Sequence, residues 1–509
     1  MAFEFTSIES IPAIVANLRK EFNSGLTKDL GFRKQQLKNL QRFCEENTKL
    51  LCEALWKDLR KHEMECNVGE ISPIVDECKF MIKNLDAFTK PIQTSKRFLM
   101  NAADKTFIRK EAKGVILIMG AWNYPVNLLL MPVVGAIAAG NCIVLKPSEV
   151  SQHTNELMAT LLPKYLDPRA YTVVSGSVPE TTAVLGWLQC AIRRDIYTNI
   201  SDYYTLENRF DHIFYTGNGQ VGKIVMTAAA KHLTPVTLEL GGKSPAFVTE
   251  DADTCVAPDY VLCAKNKVEQ LLEAFRKTVV EYYGPDPKKS ASYGRIVNTR
   301  QFDRLQGLLD GCDPAQIVIG GETDREHLYI APTIVSPVDP NTHILMQQEI
   351  FGPILPIIPV ENMNEAMDIV NARDQPLALY VFASAKYNYN NILDHTSSGG
   401  VLINDVLMHL QELSLPFGGV GSSGTGSYHG EKSFETFTHL RSTMVKDLKS
   451  EPVISVRYPP YNLDKGKVLD LLVYGFPPRL GAKITTFTSF CNAFWNFLFK
   501  KPEHYDSKL

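Results

Sequence analysis

The 509-residue sequence lacks several features that would direct it to particular functions. Its 53 basic and 56 acidic residues leave a net charge of only −3, so it has neither a basic field for nucleic acid nor an acidic tail. Its 10 cysteines include no C-x-x-C pair and no Cys/His cluster at metal-ligand spacing. We therefore predict no bound metal, reduced thiols and a cytoplasmic location. Glu4 and Glu9 stand where a secretory signal would be basic and apolar.

The densest group of motifs lies near the middle of the chain. A β-branched and aromatic strand at Ile213–Thr216 ends in a glycine turn, and Gln220–Lys231 has the Ala, Val and Met content of a buried helix. Gly217, Gly219 and Gly222 have G-x-G-x-x-G spacing at this turn. Residues without side chains there let backbone N–H groups approach a pyrophosphate. The pattern favours nucleotide binding over a plain tight turn.

Glu239 lies between two leucines at the predicted end of the next strand, and Gly241 and Gly242 follow it. A generic dinucleotide fold would assign an acidic residue at this distance to the cofactor ribose. The apolar flanks instead predict a raised pKa and a role as proton acceptor near neutral pH. Taken alone, a strand-end glutamate that caps a neighbouring element is the simpler interpretation.

Alternating helix and strand patterns place these motifs in an α/β fold. Residues 8–90 have helical spacing of their apolar side chains. Apolar runs at Val115–Met119 and Cys142–Leu145 flank a helical stretch at Leu128–Ala139, and such runs are typical of buried parallel strands. We therefore predict a Rossmann-like cofactor domain, preceded by helices and followed by a second α/β domain.

Six motifs occur in this order along the chain: Gly120–Pro125 (GAWNYP), Leu145–Glu149 (LKPSE), Tyr215–Gly222 (YTGNGQVG), Leu238–Pro245 (LELGGKSP), Gln348–Pro353 (QEIFGP) and Pro416–Gly421 (PFGGVG). Together they resemble the aldehyde dehydrogenase superfamily. Residues 18–40, Val401–His409 and Arg457–Pro460 are similar to the class 3, fatty-aldehyde-oxidising branch. The resemblance covers residues 10–460. It implies the aldehyde dehydrogenase fold, NAD or NADP as cofactor, and a homodimer.

The resemblance also assigns roles to candidate site residues. Cys255 would be the nucleophile that forms a thiohemiacetal and then a thioester, Asn123 would donate to the oxyanion, and Glu239 would activate the hydrolytic water. The residues assigned to the cofactor are Lys146, Glu149, Gly217, Gly222, Glu349 and Phe351. Taken singly, a cysteine among apolar neighbours is more often packing. An asparagine shortly before a proline is more often part of an Asx turn.

The sequence departs from the family pattern at two places. Glu239 and Cys255 are 16 positions apart (255 − 239), about half the spacing in the family, so the helix that leads into the nucleophile is missing. Gly186–Leu206 inserts 21 residues (206 − 186 + 1). A surface insert is tolerated because loop-closure entropy grows slowly with length, whereas loss of a packed helix uncovers apolar side chains. An altered transcript explains both changes, and we expect little dehydrogenase activity from the chain as written.

A chain of this length exceeds what one core supports. Residues 1–240 are predicted to form the helical N-terminus and the nucleotide-binding domain, and residues 241–403 the catalytic domain. Residues 404–450 would return to the first domain and serve oligomerisation. Residues 451–509 would form a C-terminal tail.

The tail contains 16 uncharged residues between Lys483 and Lys500. As a helix they would span about 24 Å, short of the roughly 30 Å hydrocarbon core of a bilayer. The residues expected on one apolar face are Ile484, Phe487, Cys491, Phe494 and Leu498, and those expected on the opposite polar face are Thr485, Thr488, Asn492 and Asn496. This pattern is typical of a helix that lies on a membrane surface. A helix packed on its own chain or on a dimer partner is the alternative.

Together these features predict an NAD(P)-dependent aldehyde dehydrogenase that acts on medium- or long-chain aliphatic aldehydes. The alternative is a catalytically impaired variant that retains nucleotide binding. A reductase of acyl phosphates is a weaker interpretation, because Glu239 supplies a hydrolytic base that such an enzyme does not need. Glu149 predicts that NAD binds more tightly than NADP, since a carboxylate would oppose the 2′-phosphate.

Overall fold

The computed structural model describes residues 3–186, 208–248, 258–383, 385–475 and 480–499. Cys255 and residues 187–206 of the predicted insertion lie outside these ranges. The described residues fall into two compact units, one within residues 1–88 and 112–438 and the other within residues 89–111 and 439–509. The sequence-based division at residues 240 and 403 falls inside the first unit and stays a prediction.

Helices and strands are numbered along the chain. The helices are α1 (Ile11–Ser24), α2 (Leu30–Glu46), α3 (Thr48–Leu59), α4 (Glu63–Cys66), α5 (Ser72–Phe88), α6 (Asn127–Ala139), α7 (Gln152–Tyr165), α8 (Val178–Val184), α9 (Gly219–Ala230), α10 (Val268–Tyr283), α11 (Thr299–Asp310), α12 (Met363–Asn371), α13 (Lys386–His395), α14 (Gly430–Thr436), α15 (Glu451–Ile454), α16 (Leu463–Tyr474) and α17 (Leu480–Phe499). The strands are β1 (Ile92–Gln93), β2 (Lys105–Ala112), β3 (Val115–Met119), β4 (Cys142–Lys146), β5 (Tyr171–Val173), β6 (His212–Gly217), β7 (Val236–Leu240), β8 (Pro245–Val248), β9 (Tyr260–Ala264), β10 (Ile317–Ile319), β11 (Thr323–Asp324), β12 (Tyr329–Ile330), β13 (Thr333–Val335), β14 (Ile354–Val360), β15 (Ala378–Phe382), β16 (Gly400–Ile403), β17 (Gly424–Thr425) and β18 (Thr438–Val445).

The first unit contains a six-stranded sheet with the order β17-β7-β6-β3-β4-β5. Strands β7 to β5 of this order run parallel, and β17 joins the edge antiparallel to β7. Both β3 and β4 are buried along their whole length, as their apolar sequences predict. The chain moves from β3 to β4 and β5 on one side and returns through β6 and β7 on the other. The boundary between β3 and β6 is therefore a topological switch point.

Five helices precede this sheet. Helices α1 to α5 run from Ile11 to Phe88, which confirms the helical pattern predicted for this region. Leu37, Leu40 and Phe43 on α2 are fully buried, and α2 packs against α5, which in turn packs against α6. A short π-helical turn at Asn67–Ile71 joins α4 to α5.

A second sheet in the same unit has the order β10-β13-β14-β9-β8-β15-β16. Its strands from β13 to β16 are parallel, and β10 is an antiparallel edge. Helix α10 buries Leu272 and Phe275 in a core of this sheet. Two clusters of buried side chains, which include Phe247 and Ile357, lie on this sheet.

The second unit contains the sheet β1-β2-β18 and the helix pair α16 and α17. Ala493, Phe490 and Phe494 of α17 pack with Val468 and Leu472 of α16. The helix therefore packs on its own chain through one face, as in the alternative interpretation of the tail.

The structure changes which residues of α17 share a face. Phe494 was expected on the apolar face and Asn496 on the opposite one, yet Phe494 joins the α16 cluster and the Asn496 amide donates to Asp464 of α16 over 3.0 Å. Phe487 and Trp495 remain 52% and 64% exposed. Packing against α16, which hydropathy alone does not specify, sets the orientation. Among the described residues, no helix combines the length and the apolar character needed to cross a membrane.

Candidate active site

Most of the predicted site residues lie at the carboxyl ends of the parallel strands of the six-stranded sheet. Asn123 follows β3, Lys146 ends β4, Gly217 ends β6 and Glu239 is the penultimate residue of β7. In open α/β sheets, ligands bind outside the carboxyl ends of the strands at a switch point. The Asn123 loop and the glycine turn leave the sheet from β3 and β6, on the two sides of that point.

Close packing explains two of the glycines in the turn after β6. A Cβ atom at Gly217 would lie 2.2 Å from the Tyr215 hydroxyl oxygen, and one at Gly222 would lie 2.8 Å from Leu240 Cδ2. The Asn218 side chain caps α9 by accepting from the Val221 N–H over 2.9 Å. The turn thus places the N-terminus of α9 directly at the strand end, where backbone N–H groups can bind a pyrophosphate.

Lys146 and Glu149 form an ion pair at the end of β4. The Lys146 Nζ lies 2.5 Å from Glu149 Oε2, and the lysine side chain is 6% exposed whereas the glutamate is 32% exposed. The ammonium therefore holds a carboxylate that is still accessible from solvent. A carboxylate fixed in this way can accept hydrogen bonds from ribose hydroxyls.

Glu239 is buried within the sheet and is only 3% exposed. Neither of its carboxyl oxygens has a hydrogen-bond partner among the described residues. Burial raises the pKa of Glu239 well above its usual range, because the charged form loses its hydration. The rise predicted from the apolar flanks is thereby confirmed, whereas the role of Glu239 as a proton acceptor stays a prediction.

Glu349 lies against the two glycines that follow Glu239. A Cβ atom at Gly241 would come within 2.2 Å of Glu349 Oε2, so a glycine is needed there for the carboxylate to approach. Burial, assisted by the charge of Asp259, raises the pKa of Glu349 to about 7, although the Gly242 N–H that donates to it acts in the opposite direction. Glu349 thus lies against the Gly241-Gly242 pair, which follows Glu239 along the chain at the end of β7.

Phe351 lies beside the loop that carries Asn123. Its ring centroid is 5.2 Å from that of Trp122 in an edge-on arrangement. Phe351 is 45% exposed and has a left-handed backbone with φ of 51°. A non-glycine residue in this conformation marks a backbone that its surroundings hold in place.

Three residues that the motifs did not assign hold the Glu349 segment. Lys243 Nζ forms an ion pair with Asp259 and donates to the Gln348 carbonyl over 3.1 Å. The Ile350 N–H donates to Asp259 Oδ1 over 2.9 Å, and the Arg304 guanidinium donates to the Ile350 carbonyl over 2.6 Å. Lys243 belongs to the LELGGKSP motif and could have been noticed there. Arg304 lies on a distant helix without any local signal.

Cys255 lies between β8 and β9, outside the described residues, so its role as nucleophile stays a prediction. The other candidate positions, namely Asn123, Lys146, Glu149, Gly217, Gly222, Glu239, Glu349 and Phe351, all belong to the first unit, and their roles stay predictions. Among the described residues there is no group of three or more His, Cys, Asp or Glu side chains that could hold a metal ion.

Known proteins are similar to this chain in sequence and in architecture. The sequence model described as the Aldehyde dehydrogenase family matches residues 5–186 and 197–443. Its second segment runs across residues 249–257, and the unmatched residues 187–196 fall within the predicted insertion.

Individual relatives match most of the chain. Aldehyde dehydrogenase family 3 member A2 of Macaca fascicularis is 45% identical over 496 residues, which are 93% of this chain and 96% of that protein. The dimeric NADP-preferring aldehyde dehydrogenase of Rattus norvegicus is 46% identical over 473 residues, which are 89% of this chain and 98% of that protein. The solved structure of the substrate-bound state of Staphylococcus aureus AldH has a TM-score of 0.82 and 37% identity, covering 91% of this chain and 99% of that one. These matches confirm the predicted α/β architecture.

Proposed function

Since the chain belongs to the aldehyde dehydrogenase family, we propose that its site oxidises medium- or long-chain aliphatic aldehydes to carboxylic acids. Membership confirms the family recognised from the motifs, the enzyme class and the use of NAD or NADP. The observation that carries the proposal is the buried carboxyl group of Glu239 at the carboxyl end of β7, which has no hydrogen-bond partner among the described residues. A hydrolytic base of this kind is what formation of a carboxylic acid requires.

The residues around the glycine turn fit a nicotinamide dinucleotide. Gly217 and Gly222 would allow the close packing that places the α9 N-terminus at the end of β6, where its backbone N–H groups can bind a pyrophosphate. Lys146 with Glu149 would hold the adenosine ribose. Glu349 and Phe351 would hold the nicotinamide ribose. When bound, the cofactor supplies the hydride acceptor for aldehyde oxidation.

Cys255 and Asn123 would share the first half of the reaction. The Cys255 thiolate adds to the aldehyde carbon, so that a C–S bond forms and the carbonyl oxygen becomes an oxyanion. The Asn123 amide donates to that oxyanion. Loss of one such donor typically lowers kcat by roughly 10²- to 10³-fold. Oxidation of the adduct leaves a thioester on the cysteine.

Glu239 would carry the second half of the reaction. Its carboxylate takes a proton from a water molecule, whose oxygen attacks the thioester and displaces the Cys255 thiolate. Because neither oxygen of Glu239 is engaged by another described group, both are available to that water. Burial raises the pKa of Glu239, and this makes its carboxylate a stronger base than an exposed one.

The two alternatives are less well supported. The similarities give no support to a catalytically impaired variant, and the second segment matched by the family model extends from residue 197 to residue 443. A reductase of acyl phosphates would leave the buried Glu239 without a role.

Steady-state formation of NADH and NADPH, measured with aliphatic aldehydes of increasing chain length, tests the proposal. We expect Cys255→Ala to abolish turnover. Glu239→Gln should retain a first-turnover burst and lose roughly 10²- to 10⁴-fold in the steady state, because only hydrolysis needs the base. Turnover that survives Cys255→Ala would refute the assignment of the nucleophile. A lack of activity in the unaltered chain would revive the impaired variant.

The proposal extends to assembly and to a surface partner. The rat relative is named as dimeric, and we propose a homodimer here, to be tested by sedimentation. The exposed Phe487, Trp495 and Phe499 on α17 support a peripheral membrane contact through the tail. Liposome flotation of the full chain should exceed that of a chain ending at residue 460. Equal flotation would show that the tail is not the anchor.

A further inference from the structure

A buried ion pair lies beneath the loop that joins β3 to α6. Lys61 and Glu70 are 7% and 0% exposed, and the Lys61 Nζ lies 2.6 Å from Glu70 Oε1. Charged residues are rarely buried this deeply, and such a pair is weak grounds for assuming a stabilising role. Its other contacts therefore indicate what it does.

Lys61 uses the remainder of its ammonium group on the Asn123 loop. The Nζ donates to the main-chain carbonyl of Asn123 over 2.7 Å and lies 3.5 Å from the centre of the Tyr124 ring. An ammonium has three N–H donors. The glutamate, the Asn123 carbonyl and the ring face thus account for all three directions.

Glu70 uses its second oxygen on the other end of the same loop. Its Oε2 accepts from the N–H groups of Val126 over 3.1 Å and Asn127 over 3.0 Å. These are donors at the start of α6, where a negative charge is favourable. The π-helical turn that contains Glu70 also accepts from the Asn127 amide through the Gly69 carbonyl over 2.9 Å. Short π-helical segments are frequent at functional sites.

Other contacts hold the loop on both sides of Asn123: the Trp122 ring packs edge-on against Phe351, and the Tyr124 carbonyl accepts from the Leu128 N–H over 2.9 Å. The Gly120 N–H donates to the Lys146 carbonyl over 3.1 Å and secures the β3 end. Asn123 lies between that point and the start of α6, with the Lys61 ammonium on its carbonyl. Because a hydrogen bond to this carbonyl fixes the peptide plane that follows Asn123, it also restricts the direction of the Asn123 Cα–Cβ bond.

We propose that Lys61 and Glu70 are positioning residues that hold the Asn123 amide in the direction needed to donate to the oxyanion. The inference rests on the proposed role of Asn123. A donor aimed in advance needs no reorganisation when negative charge develops on the substrate. A displacement of about 1 Å at a reacting group can cost roughly 10²-fold in rate.

A purely structural ion pair makes a different prediction. Its loss would lower the melting temperature and leave kcat unchanged in the molecules that stay folded. A positioning pair lowers kcat in folded protein, with little change in KM or cofactor affinity, because the amide donates chiefly in the transition state. Its effect also disappears once the Asn123 amide has been removed.

The experiment compares Lys61→Met, Glu70→Gln and the double variant with Lys57→Met, which changes an exposed lysine on α3. Glu70→Gln keeps an acceptor oxygen for the α6 N–H groups. We expect each Lys61 or Glu70 variant to lose roughly 10- to 100-fold in kcat and the double variant to lose no more than the larger single effect. Lys57→Met should behave as wild type. If Lys61→Met does not fold, Glu70→Gln and Lys61→Arg take its place.

Asn123→Ala separates this inference from the proposed function. We expect Lys61→Met to cause no further loss in an Asn123→Ala background. Losses that multiply, or an unchanged kcat in folded Lys61→Met, would overturn the inference. If Asn123→Ala alone leaves kcat unchanged, the oxyanion role fails, and the inference fails with it. Hydrogen exchange in residues 120–127 gives a readout that needs no activity. Faster exchange in Lys61→Met is expected, and unchanged exchange would show that Lys61 does not hold this loop.

Discussion

Two carboxyl groups in the site have raised pKa values in unlike surroundings. Glu239 has no hydrogen-bond partner among the described residues, so burial acts on it unopposed. Glu349 accepts from the Gly242 N–H and lies near the charges of Lys243 and Arg304, which oppose the rise. Glu239 is therefore poised to exchange a proton. Glu349 becomes ionised, and so acts only as an acceptor of hydrogen bonds, once the pH exceeds about 7.

The buried Glu239 should make stability depend on pH. Its folded-state pKa lies above the ordinary 4.5, so the unfolded chain loses this proton first, and stability falls as the pH rises from the unfolded to the folded pKa. We expect Glu239→Gln to raise the free energy of unfolding relative to wild type at pH 7.5, by about 1.4 kcal/mol for every tenfold difference in proton affinity between the folded and unfolded states. The difference should vanish near pH 4. Denaturant unfolding at both pH values measures it, and a difference independent of pH would contradict this account.

Glu149 should determine the choice between the two cofactors. Its carboxylate, held by Lys146 and partly exposed, would oppose a 2′-phosphate, so we expect NAD to bind more tightly than NADP. Glu149→Gln should narrow the difference by improving NADP binding. Fluorescence titration of both cofactors measures it. Equal affinities in the unaltered protein would dismiss the idea.

At the scale of elements, the glycine turn between β6 and α9 combines a steric and an electrostatic requirement. The Tyr215 hydroxyl occupies the space above Gly217, and the Leu240 side chain occupies that above Gly222. An added side chain at Gly219 would meet nothing within 4 Å. Packing therefore explains the glycines at 217 and 222. Gly219 is left as the point where the backbone could approach a ligand.

This difference supplies a matched pair of variants. Gly217→Ala must displace the buried Tyr215 ring, and overpacking of this kind costs about 1–3 kcal/mol. We expect it to lower both the melting temperature and the affinity for NAD. Gly219→Ala, at the first residue of α9, should leave the melting temperature unchanged or slightly higher, because alanine favours helix. Thermal melting and fluorescence titration compare the two. Equal melting temperatures would show that Tyr215 moves freely.

Local patterns predicted the elements well because burial in a parallel sheet leaves a strong signal in the sequence. The predicted bounds of β3 agree with the structure, and β4 extends one residue beyond its predicted end. Contacts between distant residues left no such signal. Lys61 with Asn123 and Arg304 with Ile350 depend on tertiary packing, and the same is true of the face that α17 turns to α16. The motifs thus identified residues expected to contact the ligands and missed those that hold them in place.

At the scale of the molecule, the cofactor sheet depends on residues far along the chain. Gly424 and Thr425 of β17 pair with Glu239 and Leu238, and the Tyr428 ring that follows lies 5.0 Å from that of Phe214. Phe434 and Phe437 are also buried in this core. Burial of an aromatic side chain contributes about 1.5–3 kcal/mol. These residues therefore stabilise the folded first unit, and β17 also completes its sheet.

A chain ending at residue 422 should therefore fail to fold, whereas one ending at residue 450 should retain the first unit. The shorter chain lacks β17 and the aromatic residues behind it, which uncovers the edge of β7 and part of the core. We expect it to be insoluble and the longer chain to be soluble. Expression, size-exclusion chromatography and binding of NAD compare them. A soluble short chain that binds NAD would show that β17 is dispensable.

The late position of β17 also determines when the molecule can become functional during its synthesis. The strand β7 leaves the ribosome with one edge unpaired, and its partner is translated only after the whole of the second sheet. Throughout that interval the nascent chain presents the open backbone donors and acceptors of β7, which are a template for association with other chains. We expect nascent chains to require chaperone protection during this interval, and a ribosome that stalls within the second sheet to release a product prone to aggregation.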